Sequence, residues 1–516
     1  MTLSARVDDT GIELSELVDT PLDVRFDGHR LWSFNAARDA TSSSSHKVHV
    51  DWPRAIKQRL SGVTHVCVQG HSDGLVWFEG DVTFGSSTDP LTFVDDAGHP
   101  LTLDKGGRLQ RTFDRMDAES VNELVAASRR VLDALVEGCG LDAYLCYGGL
   151  LGAVRDGKMI GHDSDVDLAW LSKFTHPFDI IRESRRAEQT MRDRGWTVVR
   201  MSAANFKVWA QLPNGKRAGV DVFGSFYIGD HFHITGSLRG KLDRHKIVPF
   251  GTIELEGVEF PAPRDLPAFL TYTYGPGWKV PDPAFHFNHP PENTRMMGQW
   301  WRGSRMRLWY WSAFYGSPKA ALVPDEPSLF AQWVAGRIEP SSRVIELGSG
   351  TGRDAVWLAS QGFKVTASDY ADSARRITKR KLKQAGLKVW VKGYNLEAPY
   401  NFLRQGAKLA HQPGAKHVYA RFLIDALAPS GREGLWRFCS MVCRSGGHTF
   451  LEFRTAANRG EPTFFGPHIR TYARVSVIEA EVAKHGGTVV SKAVGRGLAP
   501  FHMENPIVCR LEVSWT

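Results

Sequence analysis

Three aspartates stand at alternate positions ahead of an apolar run. Asp163, Asp165 and Asp167 are each separated by a single residue. Side chains at alternate positions of a strand share one face, so the spacing predicts three neighbouring carboxylates. A hard divalent cation would relieve their mutual repulsion, and Mg²⁺ or Mn²⁺ can also bridge phosphate oxygens. The pattern therefore predicts a metal site suited to chemistry at phosphorus.

A fourth aspartate is placed to complete that site. Asp221 lies inside the apolar run 219–223. Taken alone it is equally consistent with a buried, hydrogen-bonded structural acid, and the upstream Asp165 and Asp167 favour the metal ligand. A calcium-binding loop is a further alternative for residues 163–167, but the segment lacks the glycine and the terminal glutamate of an EF-hand.

The second chemical pattern is a glycine-rich turn. Residues 344–352 read Val-Ile-Glu-Leu-Gly-Ser-Gly-Thr-Gly, which predicts an apolar strand entering a turn, with a helix from Asp354 onward. Glycines let the backbone turn tightly and approach a ligand without an intervening Cβ. Asp369 follows at the end of a second predicted strand, where a carboxylate can accept hydrogen bonds from both hydroxyls of a ribose. The pattern predicts a nucleoside-containing cofactor.

Several domains must position these residues, since a chain of 516 residues exceeds what one core usually organises. Short β-prone runs between residues 23 and 113 predict a β-rich N-terminal domain without a catalytic pattern, serving packing or acceptor binding. A helix over 118–137 and a strand over 144–147 lead into the acidic segment. Strands alternating with helices after residue 342 predict a parallel sheet with crossover helices.

Composition limits the partners and the compartment. The formal charge of +8 favours an anionic partner. The six cysteines are scattered without zinc-site spacing, no basic start with an apolar run resembles a signal peptide, and no apolar run reaches membrane-spanning length. We therefore expect a cytoplasmic enzyme, with peripheral association at the inner face of the plasma membrane as an alternative.

The middle region resembles the LicD/fukutin-related family from about residue 141 to 283. The resemblance rests on residues 149–155, the acid cluster, residues 221–223, and the closing segments 260–263 and 270–275. It implies a nucleotidyltransferase-like α+β fold and transfer of a phospho-substituent, from a nucleotide donor such as a CDP-linked one, to a glycan. The implied roles are metal binding by Asp165, Asp167 and Asp221 alongside Asp163, donor-phosphate contacts by Gly148 and Gly149, and charge neutralisation by Arg155.

The C-terminal region, residues 325–516, resembles class I S-adenosylmethionine-dependent methyltransferases. Segments 327–331, 352–354, 395–397 and 419–422 extend the match beyond the glycine turn. A nicotinamide-dependent Rossmann domain is the alternative, but the acid on the first strand and the Arg-Asp pair after the turn favour the methyl donor. The residues implied in cofactor binding are Glu346, Gly348, Gly350, Gly352, Asp369, Asn395, Leu396 and Arg421.

Basic residues after the late strands indicate the methyl acceptor. Arg454, His468 and Arg470, together with Arg421, predict a site for a negatively charged or phosphorylated group, and exposed surface ion pairs are the alternative. Asp425 stands where the resemblance leads us to expect a histidine. No strong base is required, because methyl transfer from a sulfonium needs little beyond alignment of the reacting groups.

Together these patterns predict an α/β multidomain chain. Its parts would be a β-rich accessory domain (1–115), a LicD-like phosphotransferase domain (116–290), a helical linker (291–324) and a Rossmann-like doubly wound methyltransferase domain (325–516). We expect a bifunctional transferase of cell-wall polysaccharide biosynthesis that uses S-adenosylmethionine and Mg²⁺ or Mn²⁺, with a nucleotide-activated donor and an anionic glycan or glycolipid acceptor. An RNA-modifying enzyme is the alternative, although no RNA-binding module is recognisable and we do not expect nucleic acid as a partner.

Overall fold

The computed structural model divides into two compact units. The first comprises Met1–Arg200 with Ala204–Met297, and the second comprises Gly298–Thr516 with Met201–Ala203. Within the described residues, we find no helix with the length and apolarity that a membrane crossing requires. The finer division at residues 115, 290 and 324 stays a prediction. The structure describes residues 4–44, 47–96, 98–104, 107–113, 116–161, 163, 165–212, 217–235, 238–287, 290–301, 307–466 and 469–515.

The first unit begins with a β-rich region, as predicted. Its elements are β1 (Ala5–Val7), β2 (Gly11–Leu14), β3 (Pro21–Phe26), β4 (His29–Asn35), α1 (Ala36–Asp39), β5 (Ser42–Ser44), β6 (Lys47–Asp51), α2 (Arg54–Lys57), β7 (Gly62–Gly70), β8 (Val76–Phe84), β9 (Thr102–Leu103) and β10 (Leu109–Gln110). Two four-stranded antiparallel sheets have the orders β1-β2-β6-β5 and β4-β3-β7-β8, and β9 pairs with β10. Buried positions alternate along β7 because one face of its sheet packs on a core around Phe26.

The remainder of the first unit is an α+β region that holds the acid cluster. Its elements are α3 (Ala118–Asp133), β11 (Asp142–Cys146), α4 (Tyr147–Asp156), β12 (Asp167–Leu171), α5 (Pro177–Asp193), β13 (Thr197–Arg200), β14 (Asn205–Gln211), β15 (Arg217–Ile228), β16 (His231–Ile234), β17 (Leu238–Gly240), β18 (Gly251–Leu255), β19 (Val258–Ala262), α6 (Leu266–Tyr274) and α7 (Pro291–Met297). The main sheet has the order β11-β12-β15-β14-β13, with β16 and β17 continuing from β15.

Local sequence explains where α3 begins and where α4 ends. The side chain of Asp117 accepts a hydrogen bond from the Ser120 amide and so caps α3, whose apolar residues recur at helical spacing. A π-helical turn over Ala134–Gly138 continues α3. Gly157 ends α4 in the left-handed conformation, with φ of 67°.

The second unit contains a doubly wound sheet, which confirms the predicted C-terminal fold. Its elements are α8 (Leu308–Gly316), α9 (Leu329–Ala335), β20 (Arg343–Leu347), α10 (Arg353–Ser360), β21 (Lys364–Ser368), α11 (Asp372–Gln384), β22 (Trp390–Lys392), α12 (Pro399–Ala410), β23 (Lys416–Arg421), α13 (Leu423–Ala426), α14 (Pro429–Cys443), β24 (His448–Arg454), α15 (Val475–Lys484), β25 (Gly487–Gly495) and β26 (Val508–Trp515). The sheet order is β22-β21-β20-β23-β24-β26-β25.

The directions and the order of the strands indicate where a ligand crevice lies in this sheet. The five strands from β20 to β24 are parallel to their neighbours, and β26 runs antiparallel to β24 and β25. The chain leaves β20 toward β21 on one side and later reaches β23 on its other side. In open α/β sheets, ligands bind at such a reversal, outside the carboxyl ends of the strands. The crevice therefore lies at the ends of β20, β21 and β23.

Candidate active sites

Strand register brings together three of the predicted acidic ligands in the first unit. Asp167 begins β12 and stands opposite Asp221 of the parallel strand β15, and Asp165 lies in the segment just before β12. One carboxylate oxygen from each of the three lies within 4.8 Å of the other two. Oxygen atoms in this arrangement suit a hard divalent cation, so the donor set fits the predicted Mg²⁺ or Mn²⁺.

Asp163 does not join this group. The alternating spacing predicts Asp163 on one strand face with Asp165 and Asp167, but β12 begins only at Asp167, so alternation along a strand does not extend back to residue 163. Asp163 is buried, and it lines a cavity together with Gly148 and Arg155. Its neighbours His162 and Ser164 lie outside the described residues.

A lysine that the sequence analysis missed lies against the cluster. Lys207 of β14 stands opposite Asp221 in the antiparallel pair β14–β15, and its Nζ lies 3.0 Å from Oδ2 of Asp221. The ammonium group partly offsets the charge of the three carboxylates. Only the register of the sheet shows this pairing, because 13 residues separate the two positions in the sequence.

The predicted donor-phosphate glycines lie in the first turn of α4, directly after β11. Both are buried. A Cβ at Gly149 would come within 3.0 Å of the Leu145 side chain, so close packing against β11 also accounts for the absence of a side chain there. Gly148 lines a cavity of about 550 Å³. The phosphate role of the two glycines stays a prediction.

Arg155 is engaged with backbone carbonyl groups. Its Nη2 donates hydrogen bonds to the carbonyl oxygen of Trp278 and, at 3.0 Å, to that of Val280. Burial lowers the pKa of its guanidinium. These contacts hold the segment after α6 against α4, which is a structural role that the sequence analysis did not foresee.

The N-terminal β-rich region forms part of the wall of the same 550 Å³ cavity. Arg30 and Trp32 of β4 line it, and Arg38 of α1 donates to Asp282 at 2.7 Å and to the Ala284 carbonyl at 3.0 Å. These contacts join the N-terminal sheets to the segment after α6. The cavity thus has charged and aromatic walls from both parts of the first unit.

In the second unit, a cavity of about 250 Å³ lies at the carboxyl ends of β20, β21 and β23. Seven of the eight predicted cofactor residues line it, and Gly352 lies next to them at the start of α10. The lining residues among those predicted are Glu346, Gly348, Gly350, Asp369, Asn395, Leu396 and Arg421.

The glycine turn needs its glycines for two reasons. Gly348, Gly350 and Gly352 have φ angles of 77°, 55° and 77°, which residues with a side chain rarely adopt. A Cβ on Gly350 would also lie 2.8 Å from the hydroxyl of Tyr315, and one on Gly352 would lie 2.8 Å from the Thr378 side chain. The turn therefore exposes backbone to the cavity at positions where a side chain cannot fit.

Asp369 fixes that turn. Its Oδ2 accepts a hydrogen bond from the Gly350 amide at 2.9 Å, and its Oδ1 accepts one from the Ala371 amide at 2.8 Å. Burial raises the pKa of Asp369, and these two hydrogen bonds oppose the shift. Each carboxylate oxygen can still accept a further bond, so the predicted contact with ribose hydroxyls is compatible with this second role.

Glu346 presents an unsatisfied carboxylate atom to the same cavity. The side chain lies at the end of β20 and is 3% exposed, and its Oε2 has no hydrogen-bond partner among the described residues. Burial, followed by the neighbouring Asp354 and Asp369, raises the pKa of Glu346 well above its usual range. A buried acceptor without a partner is costly, so a ligand that donates hydrogen bonds here would be favoured.

Arg353 and Asp354, which follow the glycine turn, have different roles. Asp354 is buried and accepts hydrogen bonds from the Ser328 amide at 2.8 Å, the Ser328 hydroxyl at 2.9 Å and the Tyr419 hydroxyl at 2.7 Å. It therefore ties the start of α9 to α10 and β23. Arg353 lines the cavity and donates to the Glu326 carbonyl at 2.7 Å.

Asn395 and Leu396 lie in the loop after β22, where the resemblance places the adenine. The Asn395 side chain accepts a hydrogen bond from the Glu397 backbone amide at 2.9 Å. The backbone amide of Asn395 donates to the Asn401 side chain, also at 2.9 Å. Arg421 at the end of β23 donates to Glu452 at 2.9 Å. Glu452 also accepts from Arg510 at 2.8 Å, so one buried carboxylate orients two guanidinium groups.

The predicted acceptor arginines Arg454 and Arg470 line the same cavity and are buried. The side chains of Arg454 and Arg470 are 8% and 7% exposed, and Arg454 donates to Glu504 at 2.8 Å. The alternative of exposed surface ion pairs therefore does not describe them. His468 lies outside the described residues.

Asp425 lies beside these arginines and lines the cavity. Its carboxylate oxygens are each 3.3 Å from the Arg454 amide and accept hydrogen bonds from it. Burial raises the pKa of Asp425 to about 7, although the charge and the amide of Arg454 oppose the shift. A carboxyl group that titrates near neutral pH can exchange a proton at physiological pH.

Helix α8 supplies a wall that the sequence analysis treated only as part of a linker. Trp311, Phe314 and Tyr315 are three and four residues apart, so they share one helix face, and all three line the cavity. Phe314 also packs edge-on against Phe465, with 5.1 Å between the ring centroids. The i, i+3, i+4 spacing of aromatic residues was the available sequence signal.

Comparison with protein-family models identifies the middle region. Residues 140–265 match the nucleotidyltransferase domain of LicD/FKTN/FKRP. We call this part of the chain the LicD-type domain, after the family that it resembles. The match confirms the predicted resemblance and contains the aspartate cluster, Gly148, Gly149 and Arg155. A search of curated proteins finds no significant match to the chain.

Solved structures similar to the chain include several methyltransferases. The glycopeptide N-methyltransferase MtfA in complex with S-adenosylmethionine is 15% identical, with 37% of this chain and 95% of that chain covered and a TM-score of 0.29. A SAM-dependent methyltransferase from Anabaena variabilis ATCC 29413 is 15% identical, with 40% and 93% covered and a TM-score of 0.31. Magnesium protoporphyrin IX methyltransferase from Synechocystis PCC 6803 is 14% identical, with 36% and 80% covered and a TM-score of 0.27.

The resemblance of the second unit to methyltransferases rests on its own residues, since the glycine turn, Glu346 and Asp369 lie around one cavity.

Proposed function

We propose that the second unit is an S-adenosylmethionine-dependent methyltransferase. The observation that carries this proposal is the buried, unpartnered Oε2 of Glu346 beside a side-chain-free glycine turn. The cofactor end of the cavity is acidic, with Glu346 and Asp369, and this suits a ligand with a positive charge and hydroxyl donors. When bound, S-adenosylmethionine would supply an activated methyl group.

The residues of the chain would divide the remaining work. Glu346, Asp369 and the glycine turn would hold the cofactor, with Asn395 and Leu396 beside its base. The aromatic face of α8 would exclude water from the cavity. Asp425 would accept the proton that the acceptor group loses on methylation, because its buried carboxyl has a pKa of about 7 and lines the cavity.

We propose that the LicD-type domain transfers a phospho-substituent from a nucleotide-activated, CDP-linked donor in a Mg²⁺-dependent reaction. Asp165, Asp167 and Asp221 would hold the cation, which would supply positive charge for chemistry at the donor phosphate, and Lys207 would orient Asp221. The aromatic and charged cavity shared with the N-terminal region supports that region as part of a binding site for the donor or for a glycan acceptor.

The two halves would together form a bifunctional enzyme that modifies an anionic polysaccharide or glycolipid of the cell wall. The test is isothermal titration of the full chain. Wild type should bind S-adenosylmethionine at one site per chain, and Glu346→Gln should weaken that binding. Binding of NADH in place of S-adenosylmethionine would overturn the methyltransferase proposal. In parallel, CDP should bind in the presence of Mg²⁺ and not in the presence of a chelator.

A further inference from the structure

Three arginines gather at the Asp425 end of the second unit's cavity. Arg307, Arg454 and Arg470 all line the cavity. Arg307 donates to the Ala426 carbonyl at 3.0 Å, next to Asp425, and lies 3.4 Å from the hydroxyl of Thr471, next to Arg470. The three guanidinium groups therefore surround one small region after β23 and β24.

Among the described residues, two carboxylates pair with this group of three arginines. Glu504 is shared: its Oε2 is 2.8 Å from Nη2 of Arg454 and 3.7 Å from Nη1 of Arg470. Asp425 is the second acid, 3.8 Å from Nη1 of Arg454. Even with both carboxylates ionised, three positive charges face two negative ones, so the region retains a net positive charge.

Two of the guanidinium nitrogen atoms make no hydrogen bond within the described residues. Nε of Arg454 and Nη1 of Arg470 are shielded from solvent and lack a hydrogen-bond partner within the described parts of the chain. Both side chains are more than nine-tenths buried. Leaving a buried charged donor unsatisfied is costly, and an oxyanion in the cavity would remove that cost.

We propose that this end of the cavity binds a phosphate group carried by the methyl acceptor, with Arg454 and Arg470 as its principal donors. The inference rests on the proposed methyl-transfer function and names its substrate class. Phosphate oxygens can accept from both guanidinium groups at once, and an arginine can hold two of them through parallel bonds. Phosphorylation of the acceptor would therefore precede methylation, and the phosphotransfer proposed for the LicD-type domain is a reaction of the class that supplies it.

The experiment measures binding of inorganic phosphate to the full chain by isothermal titration with S-adenosylhomocysteine at saturation. Wild type should bind phosphate at one site and should bind acetate much more weakly. Arg470→Gln should weaken phosphate binding about tenfold or more, since a charge-assisted hydrogen bond is lost. Arg376→Gln is the matched control, because Arg376 is 76% exposed, pairs with Asp372 and lies outside the cavity.

Two further variants keep the test decisive if Arg470→Gln does not fold. Arg470→Lys keeps the charge and loses the fork, so it should also weaken phosphate binding, whereas Asp425→Asn removes a repelling carboxylate and should strengthen it. Phosphate that fails to bind the S-adenosylhomocysteine-saturated protein, or that binds wild type and the arginine variants equally, would overturn the inference. Failure of S-adenosylhomocysteine itself to bind would instead overturn the proposed methyltransferase function.

Discussion

Asp167 and Asp221 face each other across two parallel strands, at the first residue of β12 and within β15. With Asp165 they bring three carboxylate oxygens within 4.8 Å of one another. Like charges at this distance in a folded protein call for a counter-charge, and Lys207 supplies only one. The pairing thus links the strand register of the LicD-type domain directly to its proposed chemistry.

The first prediction concerns the metal ligands. Asp167→Asn should reduce Mg²⁺ or Mn²⁺ affinity by at least tenfold, because one anionic oxygen of the site is lost. Thermal unfolding without metal should change little or shift upward, since the substitution also relieves repulsion among the carboxylates. Mn²⁺ binding, followed by electron paramagnetic resonance, measures the first effect.

Asp163→Asn is the matched control for that experiment. Asp163 is two positions before Asp165 in the sequence, yet it lies outside the cluster. Its substitution should leave Mn²⁺ affinity within a factor of about two to three of wild type. Equal losses of Mn²⁺ affinity in Asp163→Asn and Asp167→Asn would contradict a metal site formed by Asp165, Asp167 and Asp221.

The second prediction concerns the independence of the two activities. Asp369→Ala should abolish S-adenosylmethionine binding, because the variant loses both the ribose acceptor and the hydrogen bond that fixes the Gly350 amide. Phosphotransfer and Mn²⁺ binding should persist, since the acid cluster belongs to the other compact unit. Asp372→Ala is the comparison, as that carboxylate is 58% exposed and pairs with Arg375 and Arg376. Loss of both activities from a folded Asp369→Ala protein would count against modularity.

Local pattern in the sequence was enough to predict much of the fold and the core of each site. The glycine turn, the acid at the end of β20 and Asp369 follow from strand–turn–helix rules, and the structure gathers them around one cavity. The alternating spacing put Asp163 on one strand face with Asp165 and Asp167, whereas the structure groups the latter two with Asp221. The difference arises because the start of β12 depends on pairing with β11 and β15, which one short segment does not encode.

Contacts between distant segments were not predictable in the same way. Lys207 reaches Asp221 only through the register of β14 with β15, and Arg155 meets Trp278 and Val280 more than a hundred residues away. The aromatic face of α8 becomes part of the cavity through tertiary packing that its helical spacing does not specify. Such contacts between distant residues depend on how the strands assemble into sheets, which local sequence patterns do not specify.

The third prediction is that Glu346 lowers the stability of the ligand-free protein and strengthens the binding of S-adenosylmethionine. Its pKa is raised by burial, so in the folded state its ionisation is disfavoured, and stability falls as pH rises from the ordinary glutamate value toward the raised one. Glu346→Gln removes this loss and should increase the free energy of unfolding near neutral pH by about 1–3 kcal/mol. The same variant should bind S-adenosylmethionine more weakly.

Urea denaturation at pH 5 and pH 8, without and with S-adenosylhomocysteine, measures both sides of that exchange. The stability difference between Glu346→Gln and wild type should be larger at pH 8 than at pH 5 in the absence of ligand, and saturating ligand should reduce or reverse it. A variant that is less stable than wild type at both pH values would show that Glu346 has a structural partner.

The last prediction is a pH profile that depends on Asp425. Because burial raises the pKa of this carboxyl to about 7, it is mostly protonated at pH 6 and mostly ionised at pH 8. If the ionised form accepts the proton from the methyl acceptor, single-turnover methylation of a saturating acceptor should rise with pH and level off above about pH 8. Asp425→Asn should lower the rate at pH 8 and remove the rising limb, while S-adenosylhomocysteine affinity, measured by titration, stays near that of wild type. Asp425→His should restore a rising limb with a midpoint set by imidazole, since histidine also exchanges a proton near neutral pH. A pH profile that is unchanged in Asp425→Asn would assign the limb to the acceptor itself and leave Asp425 as a positioning group for Arg454.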